Sequence, residues 1–165
     1  MRPALDLLAQ VPDGLPAGEV VDLGCGAGAA GPALRARYGD RTLVGLDASP
    51  AMLAEAAATG CYDRLVEGDI ARWQPEAAPA LIFSNAALQW VPDHAALLPQ
   101  LAALPAPDGV LAVQVPDQQD APSHRLLREV AAALCPGRFD GTGRAIAVLP
   151  PERIFALLAP FGAVS

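Results

Sequence analysis

Short apolar runs recur along this chain and predict β-strands that are buried on both faces of a sheet. Each run holds only four to six residues, which suits a strand better than a helix. The predicted strands are residues 19–23, 42–46, 80–83 and 110–115, with 64–67 as a weaker fifth candidate. The pattern therefore indicates a sheet with a hydrophobic layer on each side.

Helical patterns separate these runs. Apolar residues at three- and four-residue spacing occupy positions 52–58 and 95–103, and a stripe of Leu126, Leu127, Val130 and Leu134 follows the last run. This alternation predicts an α/β fold, a Rossmann-like doubly wound parallel sheet with right-handed crossovers. A ligand should then bind at the carboxyl ends of the strands, where the winding reverses.

Polar residues stand where several helices should begin. Ser49 precedes a proline, Asp93 follows one, and Ser123 follows Pro122. Their side-chain oxygens can accept hydrogen bonds from free N–H groups of the first helical turn, and proline is tolerated there. We expect capped helices at all three positions.

Composition narrows the range of functions. A length of 165 residues with 53% hydrophobic residues predicts one domain over 1–165. A net charge of -7 argues against a nucleic-acid partner, because a phosphate backbone would be repelled. Three cysteines form neither a disulfide framework nor a four-cysteine zinc site, so no metal is expected. Without a signal peptide or a bilayer-length apolar run, we expect a cytoplasmic protein with no membrane partner.

The most informative segment is residues 20–31, an apolar strand that contains Asp22 and ends in the alternating glycines Gly24, Gly26 and Gly28. Glycine permits positive φ and has no Cβ, so a ligand can lie against the backbone. An acid there can accept hydrogen bonds from an ammonium group such as that of S-adenosylmethionine. The alternative is a tight strand-to-helix turn without a ligand.

Asp47 follows the second predicted strand and can accept hydrogen bonds from both hydroxyls of a ribose. That role is common to adenosylmethionine and nicotinamide folds, and residues 26–31 also match the G-x-G-x-x-G spacing of dinucleotide sites. Asp47 could instead stabilise the positive end of the helix that starts near Ser49. A nicotinamide-dependent oxidoreductase therefore stays open, although the chain has no lysine for a catalytic Tyr–Lys pair.

Further motifs follow the third and fourth strands at 67–73 and 84–91. With residues 2–8, 22–28, 69–70, 116–117 and 122–124, they make the chain resemble the trans-aconitate methyltransferases, of the class I S-adenosylmethionine-dependent type. The resemblance covers nearly the whole chain. The cluster 88–90 also resembles malonyl-carrier-protein methyltransferases, whereas 116–117 and 122–124 favour the aconitate group.

The resemblance implies O-methylation of a carboxylate on a small polycarboxylic acid, with S-adenosylmethionine as cofactor. Asp22 and the glycine backbone would hold the methionine portion, Asp47 the ribose and Asp69 the adenine amino group. The implied cofactor-binding residues are Asp22, Leu23, Gly24, Cys25, Gly26, Gly28, Asp47, Ala48, Met52, Asp69, Ile70 and Asn85. The implied substrate residues are Gln89, Trp90 and His124. Candidate cationic clamps for the substrate are Arg125, Arg128, Arg138 and Arg144.

Several of these residues have a purely structural alternative. Asp69 could cap the turn before Trp73, and Trp73 and Trp90 could be packing aromatics. His124 and, still more, His94 are expected on the surface. No catalytic acid or base is assigned.

Similar proteins also carry an aromatic segment before residue 2 and two final antiparallel strands. We therefore expect a sheet that lacks those two strands, with the exposed fifth strand available for self-association. A truncated, non-catalytic cofactor-binding module remains an alternative.

Overall fold

A computed structural model of the chain describes residues 2–117, 121–136, 138 and 148–165. It contains the five predicted strands, with ends that differ from the prediction by at most two residues. The strands are β1 Val20–Leu23, β2 Leu43–Asp47, β3 Arg64–Glu67, β4 Leu81–Asn85 and β5 Val110–Gln114. The largest difference is at β4, which continues through Ser84 and Asn85 because these two residues pair with β5.

A helix precedes or follows each strand in the first two-thirds of the chain, except that β3 leads to β4 without a helix between them. They are α1 Arg2–Gln10, α2 Gly31–Arg37, α3 Pro50–Ala58, α4 His94–Ala102, α5 Pro122–Leu134 and α6 Pro151–Leu158. The helices expected over 52–58, over 95–103 and along the leucine stripe are thus confirmed. The periodicity analysis did not identify α1 or α6.

Two of the three predicted caps are present. The Ser49 side chain accepts a hydrogen bond from the Met52 N–H at 3.4 Å, and Asp93 accepts one from the Ala96 N–H at 3.2 Å. The cap predicted at Pro122 and Ser123 is wrong, because α5 starts at Pro122, two residues before a helix capped by Ser123 would start. Its N-cap is Ala121, which has no side chain that could accept a hydrogen bond.

All five strands are parallel, in the order β3-β2-β1-β4-β5. The chain winds outward from β1 through β2 to β3, then returns to the other side of β1 for β4 and β5. The winding therefore reverses between β1 and β4, whose carboxyl ends border the crevice expected to bind a ligand. This is the predicted doubly wound arrangement.

Two apolar clusters cover the two faces of the sheet. On one face, residues of α1 and α2 such as Leu8 and Leu34 pack against Phe83. On the other face, α4 and α6 pack against Leu23 and Ile82. Burial on both faces explains why the inner strands β1, β2 and β4 are largely apolar, whereas the edge strand β3 has an exposed charged residue at each end. Among the described helices, none is long and apolar enough to cross a bilayer.

Within the described residues, β5 pairs with a strand on one side only. Val110 donates to the carbonyl of Ala80, and the Gln114 carbonyl accepts from the Ala86 N–H, so alternate residues of β5 face β4. The N–H groups of the intervening Leu111 and Val113 consequently point toward the free edge. A groove of about 1190 Å³ follows this edge, between α1 and residues 161–165.

We expect the chain to self-associate through this edge, and Val113→Pro to weaken that association. Proline removes an outward N–H while leaving the hydrogen bonds to β4 in place. The dimer dissociation constant should rise about tenfold, the scale of one or two lost hydrogen bonds. Sedimentation velocity measures the change, and Val113→Thr, which keeps the N–H, is the control. A monomer at every concentration would contradict the prediction.

Candidate functional site

The loop that follows β1 is held at the carboxyl edge of the sheet by the neighbouring strand. The N–H groups of Gly24 and Cys25 both donate to the carbonyl of Leu46 in β2, at 2.7 and 2.9 Å. The loop therefore turns away from β1 directly over the end of β2. This brings the glycines next to Asp47, the last residue of that strand.

Asp47 uses both carboxylate oxygens to organise this edge. Its Oδ2 accepts a hydrogen bond from the Gly26 N–H and its Oδ1 accepts one from the Ser49 N–H, both at 2.9 Å. The side chain is half-buried, so part of it stays open to a ligand. The helix-start role considered for Asp47 is present in the contact to Ser49, and the ribose role stays a prediction.

The glycines of the loop have different neighbours. Gly26 has φ +53°, and a Cβ there would meet no atom within 4 Å. At Gly24, φ +77°, a Cβ would lie 2.3 Å from that of Ala87. At Gly28, φ +80°, it would lie 3.1 Å from Ala56 and from the ring of Tyr62. Only Gly26 of these three faces open space, so the expected contact between ligand and backbone is available there.

Asp22 lies beneath the loop and is only 2% exposed. Its Oδ2 accepts a hydrogen bond of 2.6 Å from the hydroxyl of Tyr62. Burial raises the pKa of Asp22 to about 6; the bond from Tyr62 opposes that rise, and the nearby carboxylate of Asp47 adds to it. Near neutral pH the site thus holds a carboxylate that is costly to ionise and that a cation would stabilise.

Cys25, a predicted cofactor-binding residue, lies in surroundings that make its thiol unreactive. It is buried, and burial together with the charges of Asp22 and Asp47 raises the pKa of its thiol to about 12. The thiolate is the nucleophilic form of cysteine, so this side chain acts as a small apolar group at neutral pH.

We expect iodoacetamide at pH 8 to alkylate Cys135 and to leave Cys25 unmodified. Cys135 is exposed whereas Cys25 is buried and protonated, so their rates should differ by at least about a hundredfold. Peptide mass spectrometry over time measures both rates in one sample. Unfolding in urea is the control and should make Cys25 reactive. Equal rates in the folded protein would contradict this assignment.

The residues predicted to face an adenine ring lie just after β2 and β3 and in the first turn of α3. The ends of β2 and β3 are joined by a hydrogen bond of 3.0 Å from the Gly68 N–H to the Asp47 carbonyl. Ile70 is buried next to Gly24, Met52 is half-buried, and Ala48 is exposed. Asp69 is exposed, and its Oδ1 accepts from the Ala71 N–H at 2.9 Å, which is the turn-capping role named as its alternative.

Asn85 ends β4, across the winding reversal from the glycine loop. Its Oδ1 is buried without a hydrogen-bond partner. Gln89 is also buried; its Nε2 donates to the Ala86 carbonyl at 2.6 Å, and its Oε1 has no partner. A buried acceptor without a donor is costly, so these oxygens suit a ligand that brings N–H groups. The ammonium of S-adenosylmethionine fits Asn85 in this respect.

The residues predicted to contact substrate are more scattered. Trp90 ends a short 3-10 helix and is 74% exposed, so it does not pack in the core, whereas Trp73 packs against the cluster around α4. His124 and Arg125 are exposed on α5, and Arg125 pairs with Glu129 at 3.6 Å. Arg144 lies outside the described residues.

The prediction that His94 lies on the surface is wrong. The ring is 2% exposed and its Nε2 lies 2.8 Å from the Leu88 carbonyl. Asp93 adopts φ +58° as the N-cap of α4, and the chain thereby turns His94 inward as the first helical residue. This local geometry could not be inferred from the polar character of the two residues.

Sequence reasoning also missed Tyr62, which contacts both Asp22 and the glycines of the loop. It lies outside the glycine motif, 40 positions after Asp22, in the connection between α3 and β3. No local pattern marks it, because its partners are set by the sheet order.

Comparisons with known proteins agree with this architecture. Residues 1–147 match a family model described as a methyltransferase domain. A solved S-adenosylmethionine-dependent methyltransferase from Mesorhizobium loti is 30% identical, with a TM-score of 0.53 over 65% of this chain and 50% of that chain. A methyltransferase from Galdieria sulphuraria, 18% identical, has a TM-score of 0.70 over 98% of this chain and 61% of its own, which supports the fold alone.

Curated relatives are more similar in sequence. A trans-aconitate 2-methyltransferase from Methylobacterium radiotolerans is 48% identical over 98% of this chain and 64% of its own length. One from Methylobacterium nodulans is 54% identical over 79% of this chain and 50% of its own length. The chain thus spans about half to two-thirds of these relatives. With the family match over most of its length and the parallel sheet described above, the chain belongs to the class I S-adenosylmethionine-dependent methyltransferase domains.

Proposed function

We propose that this chain is the cofactor-binding part of an O-methyltransferase that transfers a methyl group from S-adenosylmethionine to a carboxylate of a small polycarboxylic acid such as trans-aconitate. One observation carries the proposal. The open face of Gly26, the carboxylate of Asp47 and the unpartnered Oδ1 of Asn85 lie at or just after the ends of β1, β2 and β4, at the same carboxyl edge of the sheet. The names of the curated relatives suggest the acceptor.

Each of these residues is proposed to bind a different part of the cofactor. Asp47 can accept from ribose hydroxyls in addition to its two backbone bonds, because a carboxylate has about four lone-pair sites. Asp22 supplies negative charge and Asn85 an unpartnered oxygen for the ammonium of the methionine portion. Ile70 and Met52 offer apolar surface for the adenine ring, with Ala48 at the rim and Asp69 for the adenine amino group.

Bound S-adenosylmethionine supplies a methyl group activated by its sulfonium. A carboxylate acceptor with a pKa near 4 is already ionised at neutral pH, so the chain needs no general base. Orientation of the acceptor and exclusion of water then supply the acceleration. Gln89, Trp90 and His124 are proposed on the acceptor side. Cys25 does not compete for the methyl group, because its thiol stays protonated.

The test is calorimetric titration of this chain with S-adenosylhomocysteine and, separately, with NAD. Saturable binding of S-adenosylhomocysteine alone supports the proposal. Binding of NAD alone would favour an oxidoreductase and overturn the proposal. The two ligands share an adenosine, so the comparison isolates recognition of the methionine portion.

Transfer is then measured with radiolabelled S-adenosylmethionine and trans-aconitate. A labelled monomethyl ester of trans-aconitate supports the full proposal. Transfer of label only to a malonyl carrier protein would show that the acceptor is that protein and not a small polycarboxylic acid. Cofactor binding without transfer to either acceptor would identify the chain as a binding module. Binding and transfer therefore test the cofactor and the acceptor separately.

A further inference from the structure

The ring of Tyr62 occupies a slot that exists because three neighbouring residues are glycines. A Cβ at Gly31 would lie 2.9 Å from Cε2 of the ring, one at Gly45 3.0 Å from Cδ1, and one at Gly28 3.1 Å from Cε2. Side chains at these positions would push the ring aside. The glycines at 28 and 31 thus serve the packing of Tyr62, in contrast to Gly26, which faces open space.

The slot fixes the direction of the tyrosine hydroxyl. It donates to Oδ2 of Asp22 at 2.6 Å, a length typical of a short bond to an ionised carboxylate. Tyr62 precedes β3 whereas Asp22 lies in β1, so the contact reaches across β2, which separates these strands in the sheet. The bond therefore connects the outer part of the sheet to the acid beneath the glycine loop.

We infer that Tyr62 is a positioning residue of the cofactor site: it holds the Asp22 carboxylate in its ionised form and supports the glycine loop through the slot of Gly28, Gly31 and Gly45. This inference rests on the proposed function, because it assumes that the charge of Asp22 acts on a cationic cofactor.

Three titratable groups of the described residues face Asp22. They are Asp47 from the end of β2, Cys25 from the loop and Tyr62 itself. Asp47 opposes ionisation of Asp22, and the neutral thiol of Cys25 brings no compensating charge. Burial and the adjacent Asp22 both raise the pKa of Tyr62 above its ordinary value, so its hydroxyl remains a donor. The hydrogen bond from Tyr62 is therefore the local contact that favours the carboxylate.

The test compares Tyr62→Phe with the unsubstituted chain, in titrations with S-adenosylhomocysteine between pH 5.5 and 8.5. Phenylalanine keeps the ring in its slot and removes only the hydroxyl. The pKa of Asp22 should rise, so affinity should fall about three- to tenfold at pH 6.5 and recover to within about twofold at pH 8.5. The carboxyl carbon signal of Asp22, followed by NMR without ligand, should titrate at higher pH in the variant.

Tyr38→Phe is the matched control, because Tyr38, the C-cap residue of α2, has a buried hydroxyl without a hydrogen-bond partner. This variant should leave both the pH dependence of the affinity and the titration of Asp22 unchanged. Equal profiles and Asp22 titrations for Tyr62→Phe and the unsubstituted chain would overturn the inference alone. Failure of the unsubstituted chain to bind S-adenosylhomocysteine at any pH would overturn the proposed function and this inference with it.

Discussion

Replacing Asp22 by Asn should make the protein more stable at pH 8 and weaken its affinity for the cofactor. The pKa of Asp22 is raised from 3.8 to about 6 in the folded protein, mainly by burial. Asn has nearly the same shape, keeps an acceptor for the Tyr62 hydroxyl and carries no charge to bury. At 1.36 kcal/mol per pH unit, removing the charge should raise the free energy of unfolding by about 1–3 kcal/mol.

The pH dependence follows from the direction of the shift. Between pH 3.8 and 6 the folded protein binds the Asp22 proton more tightly than the unfolded chain, so stability declines as pH rises through this range. The difference between Asp22→Asn and the unsubstituted chain should be small below pH 4, grow up to pH 6 and stay constant above it. Urea unfolding at pH 4, 5, 6 and 8 measures this difference.

Asp63→Asn is the opposite control. Asp63 is exposed, and its pKa is lowered by hydrogen bonds from the Leu43 N–H and from Arg35. Its charge therefore contributes stability above its unfolded pKa, so Asp63→Asn should destabilise the protein at pH 8. Lower stability of Asp22→Asn at pH 8 would mean that the carboxylate of Asp22 is stabilised more than its burial indicates. The affinity of the Asp22→Asn variant for S-adenosylhomocysteine should fall about tenfold or more, the scale of one charge-assisted hydrogen bond.

Asp47→Ala should weaken binding of S-adenosylhomocysteine by about 1–3 kcal/mol, the scale of hydrogen bonds to a charged group. The structure adds a second cause to the loss of ribose contacts. Without the carboxylate, the Gly26 and Ser49 N–H groups both lose their acceptor, so the loop is no longer fixed at its open glycine. Isothermal titration measures the affinity, and thermal unfolding without ligand measures the loss of structure.

Asp63→Ala is matched to this variant. Asp63 also accepts a hydrogen bond from a backbone N–H, that of Leu43 at the amino end of β2, whereas Asp47 lies at the carboxyl end of that strand. A similar drop in melting temperature is expected for both substitutions, whereas only Asp47→Ala should lose affinity. Unchanged affinity in a folded Asp47→Ala variant would refute the ribose assignment.

Much of the fold could be predicted because it is encoded locally. The strands are short, largely apolar runs, weakest at β3, and the helices over 50–58 and 94–102 have caps within the same few residues. The α6 helix was not predicted, although Ile154, Leu157 and Leu158 lie at helical spacing and pack against one core cluster. The cap at 122–123 was wrong because the spacing of one proline and one serine does not fix the first helical residue.

Some features of the site are likewise encoded locally, whereas others depend on the tertiary structure. By itself, the sequence determined that a glycine loop ends the first strand and that Asp47 ends the second, because both features are contiguous with a strand. Only the tertiary structure decided that Gly26 is the open glycine and that His94 is buried. It also decided that the Tyr62 hydroxyl donates a hydrogen bond to Asp22, which lies 40 positions earlier in the chain. The order of strands places these residues side by side, and the resulting burial raises the pKa of Asp22. Desolvation depends on all neighbours together, so no local pattern of residues can specify it.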